Sequence, residues 1–534
     1  MLRGSLVVLL FLAPALSAQP HPSHGGSFGS VTFETSCAPA TKATFATGVA
    51  QLHSFGFAEA VRAFNEVAAA DSTCVMAYWG LALSAWGNPF AAGIKPETQL
   101  ARGLAAVERG RALHGGTERE QAYLAAAARL YDNYRGTDQR TRVTAYRDAM
   151  ADVAARYPRD DEASIFYAAA LAFAADPNDK TYASQHKAGA ILEPLAARLP
   201  EHPGIAHYLI HTYDVAALAS KALPAANAYA AIAPAAAHAL HMPSHTYTRV
   251  GKWEESIATN LRSAKVAAEE GSFSEALHAN DYMMYAYLQT GRDSAARRVL
   301  DSLPSLAKRY DPNAIGAGGA PVAGPFAMAA IPARYAIERG DWKAAAALEP
   351  RESAFPFTEA ITWFARGVGS ARGGDTLNAN DAVRQLERIR DLLTSRHEAY
   401  WSQQVEIERR GVAAWLTLAR GARAEALAEM RATADLESQT EKNAVTPGPI
   451  LPAREMLGEM LLAGGDARAA FTEFEATLVS EPGRFRALAG AMRAASATGD
   501  SASVRRYARQ LAQVAGRGDR PGRPDLATAR RLAR

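Results

Sequence analysis

Three features of this chain recur at an interval of 34 residues: Gly340 is followed by Gly374, Gly465 by Gly499, and the pair His207-x-x-x-His211 by His241-x-x-x-His245. A fixed interval of this length marks a helical hairpin stacked on copies of itself, since one helix–turn–helix unit cannot bury its apolar face alone. The recurrence constrains the fold of all 534 residues more than any bulk property does. It predicts an all-α array in which each hairpin packs on the next.

Composition agrees. Alanine-rich runs such as FYAAALAFAA, from Phe166, favour close-packed helices over strands. The net charge of +3, with both signs interspersed, excludes the concentrated basic face that nucleic-acid binding needs. No stretch is apolar for long enough to span a bilayer.

The hairpin punctuation is also present outside the exact repeats. Gly251 precedes Lys252 and Trp253, Tyr287 precedes Gly291 and Ala296, and Gly421 precedes Ala426. Gly340 and Gly374 are followed five residues on by Ala345 and Ala379, while Ala60 and Phe64 fit the second helix of a first repeat. The fullest copy has Leu457, Gly458, Gly465, Ala470, Phe474 and Pro482. This pattern resembles the tetratricopeptide (TPR) superfamily over residues from about 41 to about 515. The stretches LHSFGFAEAVRAF (from Leu52), CVMAYWGLAL (from Cys74), HPGIAHYLIHTYD (from His202) and HALHMPSHTYTRVG (from His238) look like those of an exported bacterial TPR family without an assigned activity. The resemblance implies a fold and a location, and no reaction.

Arg3, the apolar run from Ser5 to Leu16, and small residues at Ala15, Ser17 and Ala18 make a signal peptide over 1–18. A linker over 19–40 follows, then a TPR-like solenoid over 41–310. A Gly/Pro linker over 311–325 leads to a second solenoid over 326–515, and a basic, solvated tail over 516–534 ends the chain. The mature protein is expected to be exported, periplasmic or secreted. Cys37 and Cys74 are the two cysteines; they form one disulfide, or Cys37 is free and Cys74 buried, and spacing leaves both open.

Numbering each repeat so that its turn glycine is position 15 puts His207, His211 and Asp214 on the groove-facing positions of one first helix. His238, His241 and His245 take them in the next, and His278, Asp281 and Tyr285 in the third. His53 also falls on the groove side, and would need the solenoid to curl to reach the others. Residues i and i+4 share a helix face one turn apart, close enough to bind one metal. Imidazole with carboxylate suits Zn, Cu or Fe and does not suit Ca or Mg. The expected ligands are therefore His207, His211, His241, His245, His278 and Asp281. Pro243 is an obstacle: it pushes Met242 out of the helical region and spoils the spacing of His241 from His245. The competing reading is a polar groove whose histidines bind a protein or peptide partner.

His-x-x-x-His lacks the glutamate of the zinc-protease motif, and no phosphate-binding loop, dinucleotide-binding pattern or haem attachment occurs. Glu437 and Glu441 lie one turn apart as an acid–base candidate, although a solvated helix end explains them more simply. The expected function is an exported interaction protein with a metal-bearing groove. A metal-dependent hydrolase or oxidoreductase is the alternative, with no catalytic residue assigned.

Overall fold

The computed structural model describes residues 27–91, 93–312 and 320–533; the signal-peptide segment lies outside them. Helices follow one another from Lys42–His53 to Pro524–Leu532, and no strand occurs among the described residues. Each helix packs chiefly on its neighbour in sequence, as stacked hairpins require. No described helix is long and apolar enough to cross a membrane.

The turn glycines account for the regularity. Gly251, Gly291, Gly340, Gly374, Gly421, Gly465 and Gly499 all sit at φ between +65° and +88°. This left-handed backbone costs a side-chain-bearing residue energy, so glycine ends one helix and lets the next reverse direction.

Two large apolar cores form. One runs through residues from Phe33 to Tyr247, the other through residues from Val322 to Ala529. A smaller cluster joins Leu277, Met284 and Leu288 to Ala327 and Ile331 of helix Ala323–Glu338. Of the Gly/Pro stretch 311–325, residues 313–319 lie outside those described, and the helix Ala323–Glu338 starts within it.

The chain curls back on itself. Helix Lys42–His53 packs against helix Pro203–Thr212, so His53 reaches the later histidines. Gly204 permits the approach: a Cβ there would lie 2.4 Å from His53 Nδ1. Cys37 and Cys74 form a disulfide, which fastens the extended segment after Ser27 to the start of helix Val75–Trp86.

The C-terminal segment does not end as a solvated tail. Helix Pro524–Leu532 buries Leu526 and Ala529, and Arg523 pairs with Asp293. Two of the arginines that suggested a free end are engaged: Arg523 donates to the Asp293 carboxylate and Arg530 to the carbonyls of Gly518 and Asp519.

Candidate metal centre

Helices Pro203–Thr212, Ala237–His241, Pro243–Arg249 and Phe273–Gln289 bring six histidines together, all of them buried. In each of two triads, His207–His211–His238 and His241–His245–His278, one potential ligand atom per residue lies within 4.8 Å of the others. Metal–nitrogen bonds of about 2.0–2.1 Å would set such atoms about 3.3–3.6 Å apart, a difference that small ring rotations close. The triads adjoin: ring centres of His211 and His245 are 5.7 Å apart, and those of His238 and His241 are 6.0 Å apart.

Met242 does not leave the helical region. Its φ and ψ are −52° and −37°, and Pro243 opens the second short helix at a position where its missing N–H costs nothing. His241 Nε2 therefore comes within 3.0 Å of His245 Nε2, so the expected loss of spacing does not occur.

The hydrogen bonds fix which nitrogen carries the proton in four of the six rings. His207 Nδ1 donates to the His53 carbonyl at 2.6 Å. His241 Nδ1 donates to Asn260 Oδ1 at 2.6 Å; the Asn260 amide nitrogen is engaged with the Ser256 carbonyl, so Oδ1 is the atom that faces the ring. His245 Nδ1 donates to Asp214 Oδ2 at 3.0 Å, and His238 Nδ1 faces both Glu275 oxygens at 3.3 Å. A neutral ring that donates from Nδ1 presents a lone pair at Nε2. This outward Nδ1 bond to a carbonyl or carboxylate is the arrangement that orients metal-binding imidazoles.

The inward nitrogens lack partners. Nε2 of His207, His211 and His238 are buried without a hydrogen bond, each a costly state for a polar atom. His241 and His245 point two lone pairs at each other across 3.0 Å. Burial, reinforced by neighbouring imidazoles, pushes His207, His211 and His278 well below the ordinary histidine value and holds His238 and His241 down at about 3. These rings are therefore neutral at physiological pH, the form that coordinates metal.

Asp214, expected on the groove, buttresses the site from behind. Burial alone would raise its pKa, but Lys442 at 3.0 Å and Arg249 at 2.9 Å hold it well below the usual carboxylate range. Asp281 belongs to neither triad. Its carboxylate takes Arg334 Nε at 2.9 Å, and Arg334 also holds Thr446 Oγ1 and the Gly448 carbonyl. The i, i+3 spacing from His278 was legible; the guanidinium that claims Asp281, 53 residues later, was not.

The surface expected to be an open groove is closed. Phe90 stacks on His211 with ring centres 3.8 Å apart, and Phe55 packs against His207 and His238. Phe55 has φ of +56°, a strained setting for a bulky residue, and its ring forms one wall of the first triad. Tyr282 donates toward the carbonyls of Ala444 and Thr446, tying down the irregular segment after Asn443. What remains is a cavity of about 20 Å³ touching His211, His238, His245 and His278, with Phe90, Val322, Ala323 and Val445 among its walls.

On the other side of that segment lies a larger cavity of about 460 Å³, lined by Arg249, Trp401, Glu408, Glu437, Glu441 and Lys442 among others. Glu437 and Glu441 are thus not at a solvated helix end. Glu441 binds Lys180 at 2.7 Å, and burial pushes Glu437 up to about 7.

A third group combines His53 and His202 with Glu162, which sequence reasoning missed. Here Glu162 accepts from both rings at 2.9 Å, and Tyr208 donates to His53 Nδ1 at 3.0 Å.

Fold and site together describe a helical-hairpin stack enclosing a buried all-imidazole centre. No family model matches the chain, and no curated protein matches it. Among solved structures it is similar to "Crystal structure of APC/C hetero-tetramer Cut9-Hcn1", at 11% identity and a TM-score of 0.31, over 93% of this chain and 96% of that one. It is also similar to "Structure of Naa15/Naa10 bound to HypK-THB", at 11% identity and a TM-score of 0.22, over 92% and 90% of the two chains. Likeness at that level carries no functional weight.

Proposed function

We propose that this is an exported metal-binding protein whose two histidine triads each hold a transition-metal ion. One observation carries the reading: His241 and His245 direct their Nε2 lone pairs at each other across 3.0 Å while both Nδ1 protons are committed elsewhere. Two lone pairs repel at that distance, and a cation between them turns the repulsion into coordination. The partnerless Nε2 atoms of His207, His211 and His238 support the same for the first triad. Neutral imidazole suits Zn, Cu or Fe. The Cys37–Cys74 disulfide supports export to an oxidising compartment. A protein or peptide partner, if the hairpin stack binds one, would use surfaces outside this closed centre.

Metal-dependent catalysis is the second reading, favoured by the cavity against four of the six histidines. A catalytic metal keeps a coordination position open, and this cavity supplies the space for it.

The test is elemental analysis of protein stripped with chelator and then dialysed against Zn, Cu or Fe(II). The expected result is two ions per chain, falling to one or none in His245→Ala. A wild-type protein that retains no metal beyond that of His245→Ala would overturn the proposal.

A further inference from the structure

The cavity between the triads limits what can join them. Its volume of about 20 Å³ is just above the roughly 10–15 Å³ that one water needs, so it admits a ligand of one or two heavy atoms and no organic substrate. It touches His211 and His238 of the first triad and His245 and His278 of the second. A ligand there would touch histidines of both triads. Among the described residues no carboxylate lines it. Phe90, Val322, Ala323 and Val445 make much of the wall apolar.

The donor set narrows the metal. Six neutral imidazoles, with no thiolate or carboxylate in either triad, suit copper, whose divalent ion binds nitrogen ligands most tightly in the first row. Three nitrogens per ion would leave each copper with a free coordination position. On the reading of the triads as metal sites, we infer that they hold a pair of copper ions and that the cavity between them binds dioxygen.

The step balances without a further reactant. With Cu(I) held by His207, His211 and His238 and by His241, His245 and His278, each ion would supply one electron to O2, giving peroxide and two Cu(II). No proton moves and no leaving group departs.

The experiment loads the full-length apoprotein with Cu(I) under anaerobic conditions, counts copper, and then admits oxygen. The expected result is two copper ions per chain, uptake of one O2 per copper pair, and an intense near-ultraviolet peroxide-to-copper charge-transfer band. Two copper ions with no oxygen uptake and no band would overturn the dioxygen assignment and leave the metal reading standing. One copper ion per chain would overturn the pair, and no retained metal would overturn both readings. Ala323→Val narrows the cavity and replaces no histidine. It is expected to keep two copper ions and lose the band, and retention of the band would overturn the assignment of the cavity.

Discussion

The two histidine clusters of this protein use the same side chain at the same depth and differ in what faces the inward nitrogens. Around Glu162, His53 and His202 donate from Nε2 to one carboxylate, and Tyr208 donates to His53 Nδ1. That group is nearly closed; the one nitrogen without a partner is His202 Nδ1. In the six-histidine centre the carbonyl and carboxylate acceptors lie outside, at Nδ1, and the Nε2 lone pairs are left facing inward. Residue type and burial therefore do not separate a structural histidine from a ligand; the direction of its committed proton does. By this criterion the Glu162 cluster is a buried hydrogen-bond network, although its atoms are close enough to hold a metal.

The largest expected difference between the clusters is in metal affinity. Structural metal sites bind with about 10–16 kcal/mol over their ligands, so losing one ligand costs about 3–4 kcal/mol, or roughly a hundredfold to a thousandfold. Competition titration should show that loss in His245→Ala and no change in His202→Ala. Equal losses in the two variants would erase the distinction.

The next contrast is acid stability. Burial alone would raise the Glu162 carboxyl, but the donors from His53 and His202 outweigh it and hold the group down at about 2. A depressed carboxylate pKa contributes stability that is complete above the unfolded value, 4.5, and is lost as pH falls through about 2. Urea unfolding of metal-free protein should show about 3 kcal/mol of such loss across that window. The same measurement on Glu162→Gln should lack this component, at a cost of about 3 kcal/mol near neutral pH from broken partnership in the buried group.

A smaller effect tests the outer acceptors. Asn260→Ala removes the partner of His241 Nδ1 and should weaken metal binding about tenfold to a hundredfold. Isothermal titration calorimetry should show the weakening with stoichiometry unchanged. Least of all, Tyr208→Phe removes one hydrogen bond from the closed cluster. It should cost about 1 kcal/mol in thermal or urea unfolding and leave metal content unaltered. A change in metal content there would mean that the clusters are coupled.

Much of the fold was legible because glycine spacing reports backbone conformation directly. The seven turn glycines named from sequence all occupy the left-handed region. Five of the six expected ligands fall in the two triads, because repeat numbering converts sequence position into helix face. Asp281 shows where this conversion ends: the face is right, but Arg334 on a later helix claims the carboxylate. His238 was on the groove list but outside the expected ligand set, and it belongs to the first triad. Glu162, His202 and Asn260 carry no repeat signal, since their roles arise from the curl that brings distant helices together.

The walls of the small cavity have a consequence for timing. Ala444 and Val445 help enclose it, and they follow the last histidine of the centre, His278, by more than 160 residues of sequence. A chain folding from its N-terminus assembles all six imidazoles well before that wall exists. On the reading of the centre as a metal site, ion entry would compete with the docking of a late-arriving segment, and a molecule that closed without ions would have to reopen in part to take them up. Refolding with metal present from the start is expected to fill the centre faster than adding the same metal to finished apoprotein.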